Sequence, residues 1–296
     1  MGIFQELNSN FIGLFDSGFG GISVLNRCIE LMPNENYIFY ADSKNCPYGK
    51  RTTSNLIEIG MDIISKFNKY SPKSLIIACN TMSTSNPTAL RSPFPHINII
   101  GTYPNFEHIF KKGLIIENNL YSFNSEVGLN IKKERVKILI LATTATSKSK
   151  YLNDKIDLYK KFVDIYVVPA DIIVHAVEND EVDSFRFFNE LENLILPFRD
   201  ANYMILGCTH FLFAEKIIRK IMNDSVSISS GGEIAANECY EYINSQKKSS
   251  SKDNINKRKI VIVDATLNEK RKNIFLKLIN NDNNKYEIVW KNDLVD

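Results

Sequence analysis

The feature that most constrains this chain is a recurring unit. A short run of apolar residues stops on small or polar residues, and a segment with helical spacing follows. Runs of this kind lie at 11–15, 37–41, 75–78, 97–101, 137–142, 163–168, 204–207 and 260–264, with a last one at 286–290. They are short and continuously apolar rather than alternating, which predicts strands covered on both faces. Between them, apolar residues recur at helical spacing, as at Ile22, Leu25, Ile29 and Met32 or at Ile57, Met61, Ile64 and Phe67. Further helices are expected at 106–114, 171–178, 184–198, 213–222, 233–243 and 270–280. Strands alternating with amphipathic helices define an α/β chain with mainly parallel sheets. Ligands of such sheets bind beyond the carboxyl ends of the strands.

A length of 296 residues predicts about two domains. The 36 basic and 34 acidic residues are interspersed and leave a net charge of +2, so neither sign accumulates into a field that would select nucleic acid or a membrane surface. No run approaches the ~20 apolar residues of a membrane span. The first ten residues lack the basic start and apolar stretch of a signal peptide. Five cysteines without any C-x-x-C pair speak against a disulfide framework and against a cysteine-rich zinc site. The expectation is a cytosolic protein with reduced thiols.

Two of those cysteines share a setting. Leu75-Ile76-Ile77-Ala78 runs into Cys79-Asn80-Thr81, and Met204-Ile205-Leu206-Gly207 runs into Cys208-Thr209-His210. Each thiol sits where a strand gives way to a helix start, a place where backbone N–H groups stabilise a thiolate. Buried cysteines are common in strands for packing reasons alone. Two in near-identical contexts point instead to one site faced by a thiol from either side. Asn80, Thr81 and Thr209 suit hydrogen bonding to a carboxylate and equally suit capping the helices that follow. His210 is placed to tune Cys208, to protonate a leaving group, or to cap. Asp16-Ser17 precedes glycines at 18, 20 and 21, where backbone can approach an anionic group. Neither a G-x-x-x-x-G-K-[ST] loop nor a G-x-G-x-x-G pattern is present, which leaves nucleotide binding unsupported.

Taken together, these motifs resemble those of glutamate racemase, a cofactor-independent amino-acid racemase of bacterial cell-wall synthesis. The matching stretches are Ile12-Gly13 with Asp16-Ser17-Gly18 and Gly20-Gly21, then Cys46-Pro47-Tyr48-Gly49, Ala78-Cys79-Asn80-Thr81 and Leu206-Gly207-Cys208-Thr209-His210. Weaker matches are Thr143, Thr146, Lys148 and Ser149, and Ser230-Gly231. They occur in family order over about residues 11 to 240.

The resemblance implies two pseudo-symmetric, doubly wound domains with the active site in the cleft between them. It implies a two-base mechanism in which Cys79 acts on D-glutamate and Cys208 on L-glutamate. Asp16 and His210 match residues that assist proton transfer, and Glu178 matches a third. Asp16-Ser17, Tyr48-Gly49, Asn80-Thr81 and Thr209-His210 match substrate-contacting pairs, with Thr143 and Thr146 as further candidates for holding substrate. It further implies a glutamate substrate, no cofactor, no metal and a homodimer. The domains are expected at residues 1–101 plus 226–296, and at 102–225.

The rival inside the wider superfamily is aspartate racemase, whose second cysteine is typically followed by Thr-Glu; His210 favours glutamate. A non-catalytic amino-acid-binding protein on the same fold is the alternative from another class. The chain departs from the family at Phe211-Leu212-Phe213, where Tyr-Pro-Leu is usual, so the next helix is expected to start differently. Pro87 predicts that the helix after Cys79 is short or restarts there. The segments 115–134 and 244–259 look longer than the family requires, and the second reads as a polar surface loop.

Overall fold

A computed structural model describes residues 2–104, 106, 135–246, 258–281 and 285–294. Its strands are β1 (Ile12–Asp16), β2 (Tyr37–Ala41), β3 (Ser74–Ile77), β4 (Ile99–Gly101), β5 (Lys137–Ala142), β6 (Asp164–Pro169), β7 (Tyr203–Gly207), β8 (Ser227–Ser230), β9 (Arg258–Asp264) and β10 (Tyr286–Lys291). They form two sheets, one ordered β10-β9-β2-β1-β3-β4 and the other β6-β5-β7-β8. Every pairing among the described strands is parallel. The reason is local: β1, β2 and β3 are buried at every position, so both faces must be covered by helices, and helical crossovers return the chain parallel.

The expected internal repeat is visible in strand order. The segment β2-β1-β3-β4 of the first sheet has the same order as β6-β5-β7-β8 of the second. In both, the chain steps to one side of the central strand and then crosses to the other, creating a switch point at which the strand ends splay around a crevice. Cys79 follows β3 and Cys208 follows β7, which are equivalent strands in this repeat.

A single buried apolar cluster runs between the sheets. It includes Leu14, Ile76 and Ile262 from the first, Leu139 and Leu206 from the second, and Phe211 beside the second cysteine. Separate clusters cover the outer faces, around Phe15, Ile77 and Phe67 on one sheet and around Ile138, Ile140 and Phe106 on the other. The strand tips on either side of the crevice are therefore set against a common core.

Several expectations need correction. The stretch Ser229-Ser230-Gly231-Gly232 contains the end of β8 and the first residues of the helix Gly231–Gln246, neither of which was expected there. Because β8 pairs with β7, the second sheet continues to Ser230. An edge strand has a partner on one side only and needs no continuous apolar run, so Ser227-Ile228-Ser229-Ser230 carried no strand signature. Asn244 to Gln246 belong to the preceding helix and Arg258 opens β9, which shortens the expected loop at both ends. The expectations for residues 107–134 and 247–257 lie outside the described residues. The helices Thr144–Ser147 and Lys150–Tyr159 were not foreseen, since the first is a single turn and the second buries only Leu152.

Candidate active site

Asp16 ends β1 and is buried. One carboxylate oxygen accepts from the Ser17 N–H at 2.6 Å; the other accepts from the Gly21 N–H at 2.6 Å and from Thr209 Oγ1 at 3.2 Å. The Cys79 thiol also lies within hydrogen-bonding reach of it. Burial pushes the Asp16 carboxyl above the usual range, against the pull of the His210 charge and the Cys79 hydrogen bond. Burial likewise pushes the Cys79 thiol well up, reinforced by the Asp16 and Cys208 charges.

On the other side, Cys208 Sγ lies 3.6 Å from His210 Nδ1. His210 Nε2 lies 2.8 Å from Glu178 Oε1, which also accepts the Phe19 N–H at 2.7 Å. Burial alone would lower the His210 pKa, but the hydrogen bonds to Cys208 and Glu178 outweigh it and raise the imidazole well above its ordinary value. Burial alone would raise Glu178; the hydrogen bond and charge of His210, the Phe19 N–H and Arg271 together hold it below its ordinary value. The two thiols thus have separate proton partners, Asp16 for Cys79 and His210 for Cys208, while Thr209 ties the two halves together through Asp16.

The glycine-rich turn is small because it lies against these groups. A Cβ on Gly20 would fall 2.2 Å from His210 Nδ1 and 2.6 Å from Thr209 Oγ1. One on Gly18 would fall 2.2 Å from Glu178 Oε1. Close approach to the second sheet's acid–base arm, rather than an unusual backbone angle, explains these two glycines.

Thr81 Oγ1 lies 3.3 Å from both Thr143 Oγ1 and Thr146 Oγ1, which are 3.0 Å apart, so hydroxyls from both sheets meet in one triangle. Thr143 also caps its helix by accepting the Thr146 N–H. The Asn80 side-chain NH₂ is buried without a hydrogen-bond partner among the described residues, an arrangement costing about 1–3 kcal/mol unless an acceptor arrives. Tyr48 donates to Asp42 at 2.7 Å, and its turn Tyr48–Lys50 packs against the helices Asn80–Ser85 and Thr144–Ser147, beside the triangle. A Cβ added at Gly49 would meet Ala145 Cβ at an ordinary contact distance of 3.7 Å. Ser17 is buried next to Asp16, in reach of the Cys46 thiol, which burial raises to about 12. These contacts bring Asp16, Glu178, Thr209 and His210 together on one side and Thr81, Thr143 and Thr146 on the other, with Tyr48 beside the second group. Sequence reasoning missed Phe19, Ser23 and Arg271, whose link to the crevice comes only from long-range contacts.

The proline departure has a visible correlate: Thr209–Ala214 is a 3₁₀ stretch, and the α-helix begins at Glu215 rather than Phe213. The restart at Pro87 is present as well. Asn80–Ser85 ends, and Asn86 caps Pro87–Arg91 by accepting the Ala89 N–H at 3.0 Å.

No family model matches the chain. It is 30% identical over 256 residues to glutamate racemase of Clostridium perfringens, spanning 85% of this chain and 91% of the relative. A glutamate racemase isoform from Bacillus anthracis superposes with a TM-score of 0.72 at 23% identity, covering 98% of both chains. Glutamate racemase from Francisella tularensis, solved in complex with D-glutamate, gives a TM-score of 0.71 at 21% identity over 97% of this chain and 99% of the other. The structural likenesses establish a shared two-sheet α/β fold. The chain is a cofactor-independent amino-acid racemase, an isomerase. Over most of its length, and by its similarity to the Clostridium enzyme, the chain belongs to the glutamate racemase family.

Proposed function

We propose that the chain interconverts L- and D-glutamate by two-base proton transfer at Cα, supplying D-glutamate for peptidoglycan synthesis. Cys208 serves as base toward the L-enantiomer and Cys79 toward the D-enantiomer. The supporting observation is that thiols at equivalent strand ends each have a proton partner of their own, Asp16 and His210. From L-glutamate, the Cys208 thiolate takes the α-proton and the bonding pair stays on carbon. The Cys79 thiol then gives its proton to the opposite face. Cys208 ends protonated and Cys79 ionised, so Asp16 and His210 are the groups through which solvent restores the starting state.

Without an electron sink, the carbanion-like charge needs fixed donors. The unpartnered Asn80 NH₂ and the Thr81, Thr143, Thr146 and Thr209 hydroxyls supply them toward the substrate carboxylates. Ser17, Tyr48 and Gly49 complete the wall. The complex of the Francisella relative with D-glutamate supports glutamate over aspartate.

The test is to incubate pure protein, without cofactor, with L-glutamate in heavy water. Loss of optical activity with one deuterium at Cα is the expected result; an optically stable, unexchanged substrate would sink the proposal. Aspartate run in parallel decides the substrate. A purely amino-acid-binding protein would keep its affinity in Cys79→Ser and Cys208→Ser and exchange no hydrogen.

A further inference from the structure

Arg271 stands in the helix Glu269–Leu278, beyond the stretch that carries the family motifs, yet its guanidinium reaches the acid–base arm. Its Nε donates to Asp264 Oδ2 at 2.6 Å, and its Nη2 donates to Ser43 Oγ. The guanidinium carbon lies 4.2 Å over the Phe19 ring. Asp264 is fully buried at the end of β9 and fixed in turn by the N–H and hydroxyl of Thr266. These contacts fix both the position and the plane of the guanidinium. Its remaining nitrogen, Nη1, then lies 3.8 Å from Glu178 Oε2, the carboxylate oxygen that His210 and Phe19 leave unused.

Glu178 comes from the helix Asp171–Asn179 on the second sheet, whereas Asp264 and Arg271 belong to the first. We infer that Arg271, held by Asp264, is a positioning residue for the Glu178–His210 pair, keeping Glu178 aimed at His210 so that His210 can serve Cys208. An arginine suits this post better than a lysine because one planar fork meets Asp264, Ser43 and Glu178 in fixed directions. The charged and titratable groups facing Glu178 are His210 from the 3₁₀ stretch, Asp16 from the end of β1, Cys46 from the loop after β2, and Arg271 itself. The inference rests on the assignment of Cys208 and His210 under Proposed function, and the heavy-water test there fails or succeeds independently of it.

The experiment compares Arg271→Gln, Arg271→Lys, Glu178→Gln and the double variant Arg271→Gln/Glu178→Gln in steady-state racemisation across pH, with thermal melts confirming folding. Arg271→Gln is expected to lower kcat about ten-fold, the scale of a catalytic group left loosely oriented, with KM changed less than about two-fold. Its acid limb should move to higher pH, because Glu178 loses the cation that favours its charge. Arg271→Lys should recover part of both effects. On the Glu178→Gln background, Arg271→Gln should cost almost nothing more. Equal losses on both backgrounds, or a loss with an unmoved acid limb and no recovery in Arg271→Lys, would overturn the inference. Should Glu178→Gln turn over too slowly to measure, the acid limb and the lysine variant decide the matter alone.

Discussion

At the scale of single residues, the chemistry rests on which group holds which proton. In the proposed mechanism Cys79 and Cys208 each act as base in one direction and as acid in the other, so neither can be replaced by a group lacking a titratable proton. Cys79→Ala and Cys208→Ala should each reduce racemisation by at least about 10³-fold while the protein stays folded, measured by polarimetry and circular dichroism. Activity within ten-fold of the parent in either variant would contradict the assignment. Gly20→Ala tests the same centre by geometry. Its new methyl cannot coexist with the His210 ring at 2.2 Å, so His210 must leave Cys208, and kcat should drop about 10²-fold. Wild-type turnover in that variant would mean that the Cys208–His210 contact is dispensable.

At the scale of elements, helix ends do two separate jobs. Ser184 caps the helix Phe185–Ile195 by accepting the Phe187 N–H at 3.2 Å, far from the thiols. Ser184→Ala should cost about 1 kcal/mol in urea unfolding with unchanged kcat and KM. Thr143 caps its helix and also joins the hydroxyl triangle. Replacing it with alanine should therefore affect KM as well as stability, and the contrast between the two caps separates packing from substrate contact. Elements of this kind were readable in advance where their apolar spacing was strong, as in β1, β2, β5 and the helix Thr53–Asn68. They were unreadable where burial was slight. β8 has one buried residue at its end and Lys150–Tyr159 a single buried leucine, so tertiary contacts rather than local pattern hold them in place.

At the scale of the whole molecule, the two sheets are joined by a few polar bridges across the crevice. Ser23 Oγ is within 2.8 Å of the Gly20 carbonyl and 2.9 Å of the Thr209 carbonyl, spanning first sheet to second, and His210–Glu178 is held by Phe19 in the same way. Cys79 and Cys208 are both buried, so the proposed reaction requires the crevice to open. In alkylation followed by mass spectrometry, partly exposed Cys46 should react before Cys79 and Cys208, and Ser23→Ala should speed labelling of the latter two. Equal rates in parent and variant would mean that this bridge does not hold the crevice closed.

The His210–Glu178 pair adds a pH signature. The raised His210 contributes stability that is full below its ordinary 6.5 and is lost as pH rises through its folded value. The depressed Glu178 contributes stability that is full above its ordinary 4.5 and is lost as pH falls through its folded value. Melting temperature should therefore be greatest between about 4.5 and 6.5 and decline on both sides, and His210→Asn should flatten the decline on the alkaline side.

The sequence by itself determined the architecture and the proposed reactive pair. Continuous apolar runs can be satisfied only by strands buried on both faces, and the polar residues that end those runs must then lie at the ligand-binding edge. Asp16, Cys79, Asn80, Cys208 and His210 were legible for that reason. Tertiary structure alone decided what surrounds them: that Asn80 keeps an unpaired donor, that Gly18 and Gly20 make room for Glu178 and His210, and that Arg271 steadies Glu178 from the opposite sheet. Those relations depend on distances between residues far apart in the chain. No local spacing encodes them, because they arise only when two independently wound sheets are set face to face around one core.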